Sequence, residues 1–211
     1  MNWPRAKTIL IIALIITNVF LVITYGDFNF RADEFRDHKA LSEFLAQKNI
    51  FVDAEIIPKE NRDMPVLFVQ KLEIDREQIN RALSSQGVSA EQAKVIFKSV
   101  IDGMAIEKSH ITLFFEDGIP VYIECEWLEA LNVHNRKQPT ISAAQALLLF
   151  LAQIEQTRTI LITGIEMIYW LDETIMDIET AGSVDTAFPT WKITYKEASY
   201  DRVMYIHAYK Q

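Results

Sequence analysis

HITLFFEDGIPVYIECE, residues 110–126, places two apolar runs rich in β-branched and aromatic residues on either side of Asp117-Gly118. An Asp-Gly pair favours the positive φ angles of a two-residue hairpin turn. His110–Glu116 and Ile119–Glu126 are therefore expected to pair as antiparallel strands. Downstream, a polar loop spans 132–139, and Ser142 is placed to cap an apolar helix over AAQALLLFLAQI. Three more strand candidates follow: IEMIYWL (165–171), TWKITYK (190–196) and RVMYIHAY (202–209). The last two carry aromatic and β-branched residues at near period two.

Upstream of the hairpin, Asp33 can cap a helix running to about Lys48, with Phe35, Leu41, Phe44 and Leu45 along one side. FVDAEII (51–57) and VLFVQKLEI (66–74) read as strands, parted by Pro58 and an Asn61–Pro65 turn. Asp75 to Ser85 reads as a short helix. Ser89 with Gln92 forms a capping-box pattern that opens another over AEQAKVIFKSVI (90–101). Helices grouped between antiparallel strands indicate an α+β fold, an antiparallel sheet with packed helices. The 132–139 loop is the expected boundary between two lobes, 26–131 and 132–211.

Ahead of this body lies TILIIALIITNVFLVITY, residues 8–25, without charge, Pro or Gly. As a helix it just spans a bilayer's hydrocarbon core. Arg5 and Lys7 precede it, and a mixed, acid-rich stretch follows. The positive-inside bias then puts a tip, 1–7, in the cytoplasm and the body outside. The apolar run exceeds a signal peptide's core and no A-x-A-like site follows it, so an uncleaved anchor is expected. Ala6, Ala13, Thr17 and Thr24 recur along one stripe of small residues, and Asn18 lies near the bilayer centre. Ala13, Thr17, Asn18 and Thr24 are the expected contacts with a partner helix, and Trp3, Arg5 and Lys7 anchor the cytoplasmic end. The alternative is a plain anchor whose threonines bond their own backbone carbonyls.

The net charge is −8, and beyond residue 25 it is −10, with 19 basic against 29 acidic side chains. Such a body repels nucleic acid and anionic lipid. Cys125 is the only cysteine, so no internal disulfide forms, and its neighbours Glu124 and Glu126 are expected to raise its thiol pKa. His38, His110, His134 and His207 fall in four separate elements. Metal-binding, serine-hydrolase and phosphate-loop motifs are lacking, so no metal, cofactor or catalytic residue is expected. Glu124 and Glu126 share one strand face and could pair as acid and base, but nothing orients them, and a solvated strand face accounts for them. The aromatics, Trp127, Trp170 and Trp191 among them, suggest either a binding platform or packing between sheet and helix.

The opening MNWPRAKTILIIALIITNVFLV resembles the N-terminus of the YycI family of low-GC Gram-positive bacteria, through Trp3, Arg5, Lys7, Ile9, Asn18, Phe20 and Leu21. The closing FPTWKITY and VMYIHAY are similar to that family's last two strands, through Pro189, Trp191, Ile193 and Tyr205. The likeness covers both ends, while 30–160 matches in layout. It implies a non-catalytic, single-pass cell-membrane regulator of the sensor histidine kinase WalK (YycG) in the WalK–WalR system, working beside YycH through transmembrane helix contacts. A homo- or heterodimer is compatible with that role. The alternatives are an anchored module binding envelope polymer or peptide and, on Glu124 and Glu126 alone, an envelope hydrolase.

Overall fold

In the computed structural model, residues 13–15, 17–18, 37–74, 77, 94–116, 119–133, 136–155, 158–171 and 184–210 are described. They form a mixed α+β body that is mostly sheet, with two helices packed on it. Helix α1 covers His38–Ala46, followed by strand β1 (Ile50–Phe51), a 3₁₀ turn (Ala54–Ile56) and β2 (Leu67–Leu72). Then come β3 (Lys94–Ile101), β4 (Met104–Glu116) and β5 (Ile119–Val133). Helix α2 (Ala143–Gln153) precedes β6 (Ile160–Trp170), β7 (Val184–Glu197) and β8 (Tyr200–His207).

The anticipated hairpin is present: β4 and β5 pair antiparallel from Glu116↔Ile119 to His110↔Glu126. Beyond that point β5 changes partner and pairs with β2, from Leu72↔Trp127 to Leu67↔Val133. Ser109 marks the switch. Its Oγ donates to the Leu128 carbonyl (3.1 Å) and accepts from the Leu128 N–H (2.8 Å), replacing ladder bonds where the strands diverge.

Strand β2 also pairs with β7, β7 with β6, and β6 with β4 through Ile106↔Tyr169. The neighbours thus close a five-strand ring, with β8 and β1 flanking it and β3 lying outside β4. Strands from both sides of the 132–139 loop are hydrogen-bonded to each other, so the expected parting into lobes is not a parting of the sheet.

Two apolar cores follow from this arrangement. In the larger, Leu41 and Leu45 of α1 and Ala146, Leu147 and Phe150 of α2 pack on Ile160, Ile162, Trp191 and Ile193 of the sheet. Ser142 caps α2 as expected, and with Gln145 it completes a reciprocal capping box (3.2 and 2.9 Å). The smaller core takes Leu67 and Val69 from β2, Ile106 from β4, Leu128 from β5, Tyr169 from β6 and Ala187 from β7, so every ring strand contributes.

Four expectations need correction. The 94–101 stretch is a strand, β3, not a helix. Its residues alternate exposed and half-buried, and it pairs with β4 across a turn in which Asp102 (φ 52°) and Gly103 (φ 82°) both adopt positive φ. Val95, Ile96, Val100 and Ile101 are β-branched and suit that pleat. Helix α1 is capped at Asp37, whose side chain accepts from Lys39 N–H (3.0 Å), rather than at Asp33, which lies outside the described residues. Of the expected 51–57 strand only Phe51 pairs, together with Ile50 before it, because Asp53 caps a 3₁₀ turn straight after them. The fourth concerns Cys125 and is taken up with its surroundings below.

Among the described residues no helix is long and apolar enough to cross a membrane. Of the expected span 8–25, Ala13–Ile15 and Thr17–Asn18 are described, all helical and exposed. The Asp75–Ser85 helix also lies outside the described residues, except Glu77, which is helical.

Candidate functional site

In the described part of the 8–25 segment, Thr17 Oγ1 donates to the Ala13 carbonyl at 2.9 Å. Asn18 Nδ2 donates to the Leu14 carbonyl at 3.0 Å. Both bonds run back four residues, so the two polar side chains are satisfied within their own helix. At 3.6 residues per turn, Ala13 and Thr17 share one stripe, whereas Asn18 stacks over Leu14 on the neighbouring stripe. Among the described residues, Asn18 commits one N–H, and its amide has a second N–H and a carbonyl with which to meet another partner. The remaining expected contacts and anchors, Thr24, Trp3, Arg5 and Lys7, lie outside the described residues.

On the body, a cleft of about 470 Å³ opens between the 58–64 segment, the Asp102-Gly103 turn and strands β6 and β7. Met167 and Trp191, direct cross-strand partners, belong to its lining. Trp191 is only 2% exposed, and its indole N–H donates to the Ile141 carbonyl at 3.0 Å. Met64 and Met104 add two more thioether side chains to the lining. The 58–64 segment is tied down from three directions. Asn61 and Thr140 exchange hydrogen bonds (2.9 and 2.6 Å), Met64 bridges to Gln138, and the Tyr209 hydroxyl donates to the Met64 carbonyl (3.2 Å).

Charge at the cleft comes from Lys59, Glu60, Arg62 and Asp102. Glu60 and Arg62 form an exposed ion pair, and the hydrogen bond from Arg62 holds the Glu60 carboxyl below its ordinary pKa. Nearby, burial raises Tyr169 and Tyr209 each to about 12, with Tyr209 and Asp102 adding to the effect on Tyr169. Three thioethers and an indole in one lining suit the capture of an apolar group between charged rims.

The paired carboxylates sit as the strand period requires. Glu124 and Glu126 share a face of β5, opposite Thr112 and His110 of β4. Cys125 points to the other face and is exposed. Its thiol pKa is raised, as expected, but partial burial is the cause rather than the flanking glutamates. Trp170 stacks on Tyr205 (centroids 5.3 Å apart, 15° between planes), and with Trp191 buried these rings pack rather than form an open platform. His207 lies between the rings of Phe188 and Tyr209, and burial lowers its pKa. Among the described residues no group of three His, Cys, Asp or Glu side chains is placed to hold a metal ion.

Two groupings escaped the sequence reading, the methionine-lined cleft and a charged cluster on Glu107 discussed below. Their members come from segments far apart in the chain, and only the Asp102-Gly103 dipeptide, a hairpin signal not used above, could have pointed towards either. Compared with known proteins, the chain matches no family model and no curated sequence.

Proposed function

We propose that the chain is a membrane-anchored, non-catalytic regulator of the sensor histidine kinase WalK, acting with YycH through helix contacts inside the membrane of a Gram-positive cell. The observation that carries this reading is the exposed helical stripe of Ala13 and Thr17 beside Asn18, since the bonds of Thr17 and Asn18 to their own helix fit a plain anchor equally well. Hydrogen-bonded to their own helix, these side chains let the 8–25 run sit in lipid, while the small Ala13–Thr17 stripe stays open to a neighbouring helix. The resemblance at Trp3, Arg5, Lys7 and Asn18 supplies the partner's identity. Contacts of this kind are worth about 1–2 kcal/mol, enough to shift a two-state helix arrangement by roughly fivefold to thirtyfold.

In-cell crosslinking from single cysteines tests this, using Ala13, Thr17 or Asn18 in a Cys125→Ser background. Ile15, on the opposite side of the helix from the Ala13–Thr17 stripe, is the control. Capture of the kinase from Ala13 and Thr17 but not from Ile15 is expected. Equal capture from all faces, or none with the kinase present, reduces the span to a tether.

The cleft favours a second reading, an anchored module binding an envelope peptide or polymer through an apolar group. Under it, Met104→Glu abolishes ligand capture while kinase crosslinking from Ala13 persists.

A further inference from the structure

We infer that the outer edge of β3 is a docking site for an acidic, extended segment of a partner protein, which adds to the sheet as a further strand. This inference does not rest on the kinase reading. Strand β3 pairs with β4 on one side, and among the described residues nothing pairs with its other side. An edge strand turns every second backbone N–H and C=O outward, a ready template for another strand.

The side chains along this edge set the partner's chemistry. Lys94, Ile96, Lys98 and Val100 project from the same face and all are exposed, Ile96 by 51% and Val100 by 56%. Neither lysine has a carboxylate partner among the described residues, and Lys94 lies over the Phe114 ring at 5.2 Å. Their spacing, about 13 Å along a strand, matches acidic residues four apart on an added strand, with an apolar residue between them to cover Ile96.

The same lysines argue against a second copy pairing edge to edge. Antiparallel pairing of two β3 strands centred on Ile96 would set Lys94 against Lys98 twice. The opposite side of the three-stranded arm is acidic on this face, with Glu124 and Glu126 on β5. The Lys98–His110–Glu126 row runs from cation to anion across the arm, which makes the β3 side the one that selects for negative charge.

The test uses the full chain in detergent micelles and a labelled synthetic peptide of alternating Thr and Val carrying two glutamates four positions apart. A matched peptide with lysines at those two positions is the control. The acidic peptide is expected to bind and the basic one not, with binding weakened by salt as exposed pairs are screened. Lys94→Glu with Lys98→Glu should weaken the acidic peptide by about fivefold to tenfold and switch preference to the basic one. Because both side chains are exposed, the double variant should keep its fold, and the switched preference reports an intact edge. Equal binding of both peptides, no binding of the acidic one, or unchanged preference in the double variant overturns the inference. So does concentration-dependent self-association that this variant abolishes, which would make a second copy's Glu124–Glu126 edge the occupant.

Discussion

Lys192 on β7 grips both carboxylate oxygens of Glu107, at 2.7 and 2.9 Å, and Glu107 also accepts from the Tyr205 hydroxyl at 3.0 Å. Glu107 projects from residues 106–109 of β4, which bulge opposite the single residue Ser99 of β3 and include Lys108 at φ 67°. The grip fastens the β3–β4–β5 arm to the β6–β7–β8 face at a site where the backbone supplies only Ile106↔Tyr169. Both side chains are less than one-fifth exposed. Removing one partner leaves a poorly solvated charge, so Glu107→Ala should lose about 1–3 kcal/mol in urea unfolding. Pairing Glu107→Leu with Lys192→Met should recover much of that loss, and a double variant as unstable as the single would contradict this view.

The turn between β3 and β4 makes a second expectation. Gly103 sits at φ 82° with open space where a Cβ would go, so a substitution there meets backbone strain rather than a clash. Gly103→Val should cost about 1–2 kcal/mol, while Asp102→Asn, which tolerates positive φ, should be near neutral. Thermal melts of the two variants check this.

Ser142→Ala removes half of the capping box on α2, the more buried of the two helices, and should lower stability by about 1 kcal/mol. Its effect should add to that of Gly103→Val, because the two sites lie in different elements and share no hydrogen bond.

Titration gives the fourth expectation. Burial depresses the His207 pKa, so the folded protein holds the neutral ring and the unfolded chain takes up the proton first. The stability linked to His207 is therefore complete above about pH 6.5 and falls as pH drops through the folded value. His207→Phe should flatten that acid limb. At the other end, Tyr169 and Tyr209 are raised to about 12, so their contribution holds below about pH 10 and is lost as pH climbs towards 12. Tyrosinate absorbance should show two late-ionising phenols, reduced to one in Tyr209→Phe.

Much of the body was legible wherever local chemistry was decisive. Ser142 ahead of an apolar run announced α2, Asp117-Gly118 announced the β4–β5 pairing, and the aromatic alternation from Thr190 to Tyr209 announced β7 and β8. Sequence failed at 94–101, where the apolar residues fit either period. There the decision is tertiary, since Lys94–Ile101 finds its ladder on β4, a partner that short-range periodicity does not reveal. The same holds for the ring, whose closure depends on pairings such as Leu67↔Ala187, more than a hundred residues apart. The cleft was invisible because Met64, Met104 and Met167 carry no pattern individually and meet only through that closure.

The entry of the chain into the body has a mechanical meaning. Leu41 and Leu45 of α1 are fully buried, and Ile50 and Phe51 run parallel to Ile160 and Leu161 at the start of β6. A pull arriving from the N-terminal side therefore meets seated side chains and then two parallel backbone pairs loaded in shear. Force from an anchor would reach the sheet interior, and through β6 the Ile106–Tyr169 junction, before any strand could peel away.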